Sequence, residues 1–297
     1  MRFTKVAWKM TALWLVLPLL LILPSRSAHA QSDILGEWSP RVYNDGVDVG
    51  DYTGIPLNEA GRLRAESWHP DQLDLPENEC RPHPIDMGLR VSVSQLRITP
   101  ELDPETRQQI GYRLHVAWQQ PEQVIYTDGR PHPSPNAPHW WSGFSTGHWE
   151  GNTFVYFTDH LKEAILTRTG VPRSAKATVT TRMHRYGNYL NITFIINDPA
   201  YLTQPYMREY SWVYTPDQVI PPFPCEIIPD GTILPTGSVP NFLPGKNDML
   251  VSFATEYGMP LEAALGGAET LSPDYLKKLK TMKVAPRTTT EHYKRAQ

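Results

Sequence analysis

Between Tyr126 and Asn152 the chain gathers three tryptophans, three histidines, two acids and one arginine. The run Asp128-Gly129-Arg130-Pro131-His132-Pro133 supplies groups suited to proton transfer. Imidazole titrates near neutral pH, so His132 is the first candidate for acid–base work, with Asp128 orienting it if the turn brings the two together. Glu150 is the second. Arg130 presents a planar fork that matches a carboxylate or a developing oxyanion. Trp140, Trp141, His148 and Trp149 then read as the apolar and polar walls of a ligand pocket. Each residue also has a structural reading. Asp128 and Arg130 can form an ion pair that pins a loop, the prolines around His132 fix its backbone, and Trp149 beside a turn suits a hydrophobic plug at a barrel end.

Several chemistries lack their marks. Gly143-Phe144-Ser145-Thr146-Gly147 matches G-x-S-x-G, but that elbow requires a strand-to-helix turn in a parallel sheet, whereas a strand-like segment follows here. The histidines at 115, 132, 139, 148, 160 and 184 have no H-E-x-x-H spacing, so a zinc site would need convergence from separate strands. No glycine-rich phosphate loop is present. The expectation is therefore a chain without a cofactor, a histidine-bound metal being left open.

The first residues carry Arg2, Lys5 and Lys9, then an apolar stretch from Thr11 to Pro24, and Ala28-His29-Ala30 sets small residues at a cleavage site. This is the three-part pattern of a signal peptide over residues 1–30. The apolar stretch is shorter than a spanning helix and contains Pro18. Export to the periplasm or the medium follows, with no stable membrane insertion after cleavage near Ala30. Of 28 basic and 31 acidic residues, four basic and no acidic ones lie in residues 1–30, leaving a mature charge of −7. That balance excludes nucleic acid as a partner. Only Cys80 and Cys225 are present. In an oxidising compartment they pair most simply with each other, the rival being metal binding through Cys80-x-x-His83.

The elements that must hold these residues are short. Twenty-nine prolines break the chain and exclude long helices from the mature part. Alternation predicts strands over 91–98 and 111–118, joined by a polar connection from Pro100 to Gln109. Trp149 to Thr153 reads as a turn leading into Phe154-Val155-Tyr156-Phe157. Residues 177–185 and 189–197 form an antiparallel pair about Tyr186-Gly187-Asn188, and 206–214 adds an aromatic strand. Residues 31–245 thus form a mainly β domain, an antiparallel meander closing into a calycin-like barrel, with a β-sandwich as the alternative. Pro216 to Pro244 wraps over it. Short helices are expected at 246–283, one opening at Ser272-Pro273-Asp274, followed by a flexible tail at 284–297.

Together these motifs resemble a large family of secreted bacterial proteins marked by D-G-R-x-H-P followed by G-x-W-E-G-D-T and a hydrophobic residue. The resemblance covers 128–133, 143–155, Asn197-Asp198-Pro199 with Thr203 and Pro205, and Tyr257-Gly258 with Gly266-Gly267. His148 stands where Lys or Arg is usual, Asn152 where Asp is common, and Thr181 where Glu is usual. The resemblance implies an exported β-rich fold and brings no reaction or ligand with it. The functional expectation is an exported small-molecule protein with an aromatic-lined barrel pocket. It is either a cofactor-free lyase, isomerase or hydrolase, or a binder of a hydrophobic or aromatic ligand, with an envelope scaffold as the remaining reading.

Overall fold

A computed structural model describes residues 33–41, 49–73, 75–84, 95–117, 121–167, 169–222, 224–227 and 237–284. The segment read as a signal peptide and nearly all of the C-terminal tail lie outside them, as does the N-terminal part of the strand expected at 91–98.

Nine strands close into a barrel, in the order β1 (Gly36–Pro40), β11 (Tyr206–Tyr214), β10 (Tyr189–Asn197), β9 (Thr178–Tyr186), β6 (Thr153–Asp159), β5 (Phe144–Glu150), β4 (Glu122–Tyr126), β3 (Gln109–Val116) and β2 (Leu96–Leu102). Closure is between β1 and β2, where Trp38 pairs with Leu96. The period-2 pattern decides which side chains turn inward. Leu114 and Val116, Phe154 and Tyr156, and Ile192, Phe194 and Ile196 fill the interior with Trp38 and Trp212. Strand β2 runs on through Pro100 to Leu102, where a polar connection was expected. Of β2, strand β1 pairs only with Leu96 to Ile98, so among the described residues one edge of β2 has no strand neighbour at Pro100 and a proline is tolerated there.

The meander breaks in two places. Strands β4 and β5 pair in parallel, through Ile125 with Ser145 and Tyr126 with Thr146. A parallel pair cannot be joined by a tight hairpin, so residues 127–143 must run back along the barrel before β5 begins. The second break lies between β6 and β9. There the chain leaves the barrel to form a small hairpin of β7 (Ala164–Ile165) and β8 (Pro172–Arg173). Buried Asp198 ties this hairpin to the turn after β10, accepting from the Ser174 amide and hydroxyl at 2.7 Å each and from the Ala200 amide at 3.0 Å.

Two helices precede the second strand: α1 (Glu59–Glu66), capped by Asn58 accepting from the Gly61 amide, and α2 (Pro76–Glu79). The sequence reading placed helices only at the C-terminus, where α3 (Ser252–Tyr257), α4 (Leu261–Ala264) and α5 (Pro273–Leu279) do occur. Ser272 caps α5 through the Tyr275 amide. The N- and C-terminal segments meet through Tyr52 N–H to Ala264 C=O and Gly54 N–H to Gly267 C=O. Cys80 and Cys225 are disulfide-bonded, which ties the segment after α2 to the Pro-rich wrap. Among the described residues no helix is long and apolar enough to cross a membrane.

Candidate functional site

The crossover 127–143 lays its motif over the outer face of β5 and β6. At its start Asp128 accepts from Arg130 Nε at 2.9 Å and from the Arg130 amide, and the guanidinium lies 3.6 Å from the Tyr126 ring centroid. Arg130 holds the Asp128 carboxyl below the usual carboxylate range, and Asp128 in turn raises the guanidinium. Their charges are spent on each other.

His132 therefore has a different acid beside it. Its Nδ1 lies 2.9 Å from Asp159 Oδ1, an ion-pair distance without the alignment of a hydrogen bond, and its Nε2 lies 2.8 Å from Thr146 Oγ1. Phe144 meets the ring edge-on at 5.0 Å and Phe157 lies at 5.4 Å. Asp159 Oδ1 also accepts from His160 Nδ1 at 2.7 Å, while His160 Nε2 donates to the Ser134 carbonyl at 2.9 Å. Both His160 nitrogens thus face acceptors, an arrangement only the protonated ring satisfies. The hydrogen bond to Asp159 raises the His160 pKa above its ordinary value of 6.5, against the opposing effect of burial. Thr146, His132 and Asp159 follow one another as hydroxyl, imidazole and carboxylate, the residue types of a nucleophile, base and orienting acid, with the Asp159 oxygen nearest His132 hydrogen-bonded to His160.

Glu150 is not part of this group. It lies four residues beyond Thr146 on the same face of β5, roughly 13 Å away at 3.3 Å per residue. There it accepts from Arg182 Nη2 at 2.9 Å and sits 3.2 Å from His148 Nε2, and these contacts, Arg182 first, hold its pKa below the usual carboxylate range. Trp149 turns the other way and packs on Phe154 at 5.3 Å, with its indole N–H donating to the Tyr112 hydroxyl. Ser145 is fully buried inside the barrel between Gln123 and Thr158, so the G-x-S-x-G match is strand and not a nucleophile elbow. Among the described residues no three His, Cys, Asp or Glu side chains gather as metal ligands.

The void between Gln123, Tyr156, Thr158, Leu161, Val179, Thr181 and Phe194 measures about 10 Å³, close to the space of one water. A larger groove, of about 330 Å³, lies outside the barrel strands. Trp68, which follows α1, forms one wall with Leu73, and Pro82 to Pro84 and Trp141 form others, with Ile165, Gly170 and Pro172 of the β7–β8 region. Trp68 seats against Gly170, whose φ is +85° and where an added Cβ would fall 2.1 Å from the indole Cγ. Trp141 belongs to the crossover and Ile165 to the inserted hairpin, so both breaks in the meander contribute walls. Trp140 instead points outward, 43% exposed, while its backbone bonds to His160 and Lys162.

Of the residues singled out from the sequence, His132 acquires a partner, Trp141 lines a groove, and Asp128 with Arg130, His148 with Glu150, and Trp149 form three separate structural contacts. Thr146 and Asp159 were missed. A two-residue turn at Gly151–Asn152 sets Phe144 opposite Asp159 and Thr146 opposite Phe157, so counting back from that turn puts both on one face. Nothing local marks Trp68 or Arg81 as groove residues. Comparisons of the chain with family models, with curated proteins and with solved structures find no match.

Proposed function

We propose that the protein is an exported small-molecule-binding protein whose ligand sits in the groove beside Trp141. The observation that carries this reading is the groove of about 330 Å³ walled by Trp68 and Trp141, against a void of about 10 Å³ inside the barrel. Ligand sites are concave and mostly apolar with a few polar groups, and they begin near this size. The export pattern of residues 1–30, the Cys80–Cys225 bond and the resemblance to secreted bacterial proteins support work outside the cytoplasm. The reading is tested by titrating 2-naphthol into the protein calorimetrically. Trp141→Ala removes one wall and is expected to weaken binding about tenfold or more with the circular dichroism unchanged. Equal binding by the two proteins would overturn the groove as the site.

One geometry favours a catalytic reading beside it. In it His132, 2.8 Å from Thr146 Oγ1, takes the Thr146 hydroxyl proton as Oγ1 attacks an ester carbonyl, and returns that proton to the leaving alkoxide. Water then cleaves the acyl-threonine. With p-nitrophenyl acetate as probe, this reading requires His132→Ala and Thr146→Val each to lose at least about tenfold in rate. Rates equal to the unaltered protein would leave His132 as a pin holding the crossover to the barrel.

A further inference from the structure

The groove is not electrically neutral. Arg64, Arg81 and Glu163 line it, and Arg64 is 3.6 Å from Glu163, an ion pair between exposed side chains. Among the described residues Arg81 has no such partner. Its guanidinium carbon lies 4.8 Å from the Trp141 ring centroid, and Lys162 Nζ lies 4.8 Å from the same centroid. Among the described residues neither cation has a carboxylate within ion-pair distance. Two positive charges without a carboxylate partner among the described residues therefore flank the indole of Trp141, a groove wall, on a chain whose net charge is negative.

We infer, resting on the reading of this groove as the ligand site, that its ligand is a small flat carboxylate. The apolar walls, Trp68, Trp141, Leu73 and Ile165, take an aromatic or similarly planar body, and a cavity of about 330 Å³ suits one or two rings. The anionic end meets Arg81 and Lys162. A guanidinium fork matches a carboxylate through two parallel hydrogen bonds, and a lysine adds a mobile point charge. Leaving an exposed cation–π contact gives up little, because such contacts are weak in water, whereas a charge-assisted hydrogen bond is among the stronger polar contacts. The disulfide bears on this directly, since Arg81 follows Cys80 in the chain.

The test compares 2-naphthoate with 2-naphthalenemethanol, the same ring system carrying a neutral alcohol, by titration calorimetry on the disulfide-bonded protein. Naphthoate is expected to bind at least about tenfold tighter, with the gap narrowing as salt rises. In Arg81→Gln/Lys162→Gln the two are expected to agree within about threefold. Equal affinity for the two compounds in the unaltered protein, with both lost in Trp141→Ala, would overturn the carboxylate inference and leave the groove reading standing. A naphthoate preference that survives in the double variant would overturn the assignment to Arg81 and Lys162. Affinities that Trp141→Ala leaves unchanged, or binding of neither compound, would overturn both the inference and the groove.

Discussion

His160 holds its backbone at φ +51°, a region that few residues other than glycine and asparagine enter without strain. Both of its ring nitrogens meet acceptors, Asp159 and the Ser134 carbonyl. The groups facing it are Asp159, which also contacts His132, and His139, whose ring is 5.4 Å away. Asp159 raises the native pKa above 6.5. Protonation therefore favours the folded state, so this contribution to stability is complete below about pH 6.5 and fades as pH rises through the higher native value. His160→Asn keeps a residue that accepts the left-handed backbone while removing the charge. The stability gap between the unaltered protein and His160→Asn, read by urea unfolding, is expected to be larger at pH 5.5 than at pH 9. A gap that is flat or reversed would show that His160 is not held as the cation. The same residues explain what could be read in advance. His132 was visible as a titratable group between prolines, but Asp128, its neighbour in sequence, is taken by Arg130, and local proximity pointed to the wrong acid.

At the scale of elements, the groove depends on a segment that has little hydrogen-bonded structure of its own. Residues 81–84 follow a four-residue helix and belong to no helix or strand, and the disulfide from Cys80 to Cys225, 145 residues apart, tethers them. Closing so long a loop contributes roughly 4–5 kcal/mol in the chain-entropy model, with measured values often lower. Reduction is expected to lower the melting temperature and to weaken 2-naphthol binding, with increased amide exchange confined at first to residues near 78–84. Unchanged affinity after complete reduction would show that the tether does not shape the groove. Most of the barrel was legible because half-buried strands alternate with period two. The pairs β5–β6 and β9–β10 follow directly from their turns at Gly151–Asn152 and Gly187–Asn188. The parallel β4–β5 contact was not legible, since no local pattern distinguishes a crossover from a loose loop. Helix α1 escaped because half of its eight residues are charged and only the small Gly61 and Ala65 are buried, leaving no apolar stripe to detect.

At the scale of the whole molecule, the two departures from the meander build the groove beside Trp141. Buried side chains pack inside the barrel, and the chain that leaves it, first at 127–143 and again at β7–β8, supplies Trp141, Ile165 and Pro172 to the groove. The export reading concerns the molecule as a unit too. Intact mass of protein recovered from the periplasm or medium is expected to correspond to a chain beginning at Gln31. A chain that still carries Met1 there would contradict cleavage near Ala30. The central claim is that binding occurs outside the barrel, and a crystal structure of the protein soaked with 2-naphthoate tests it most directly. Density for the ring beside Trp141, with the carboxylate at Arg81 and Lys162, is the predicted result. Density inside the barrel, displacing residues such as Phe194 or Tyr156, or a groove left empty at saturating ligand, would contradict it.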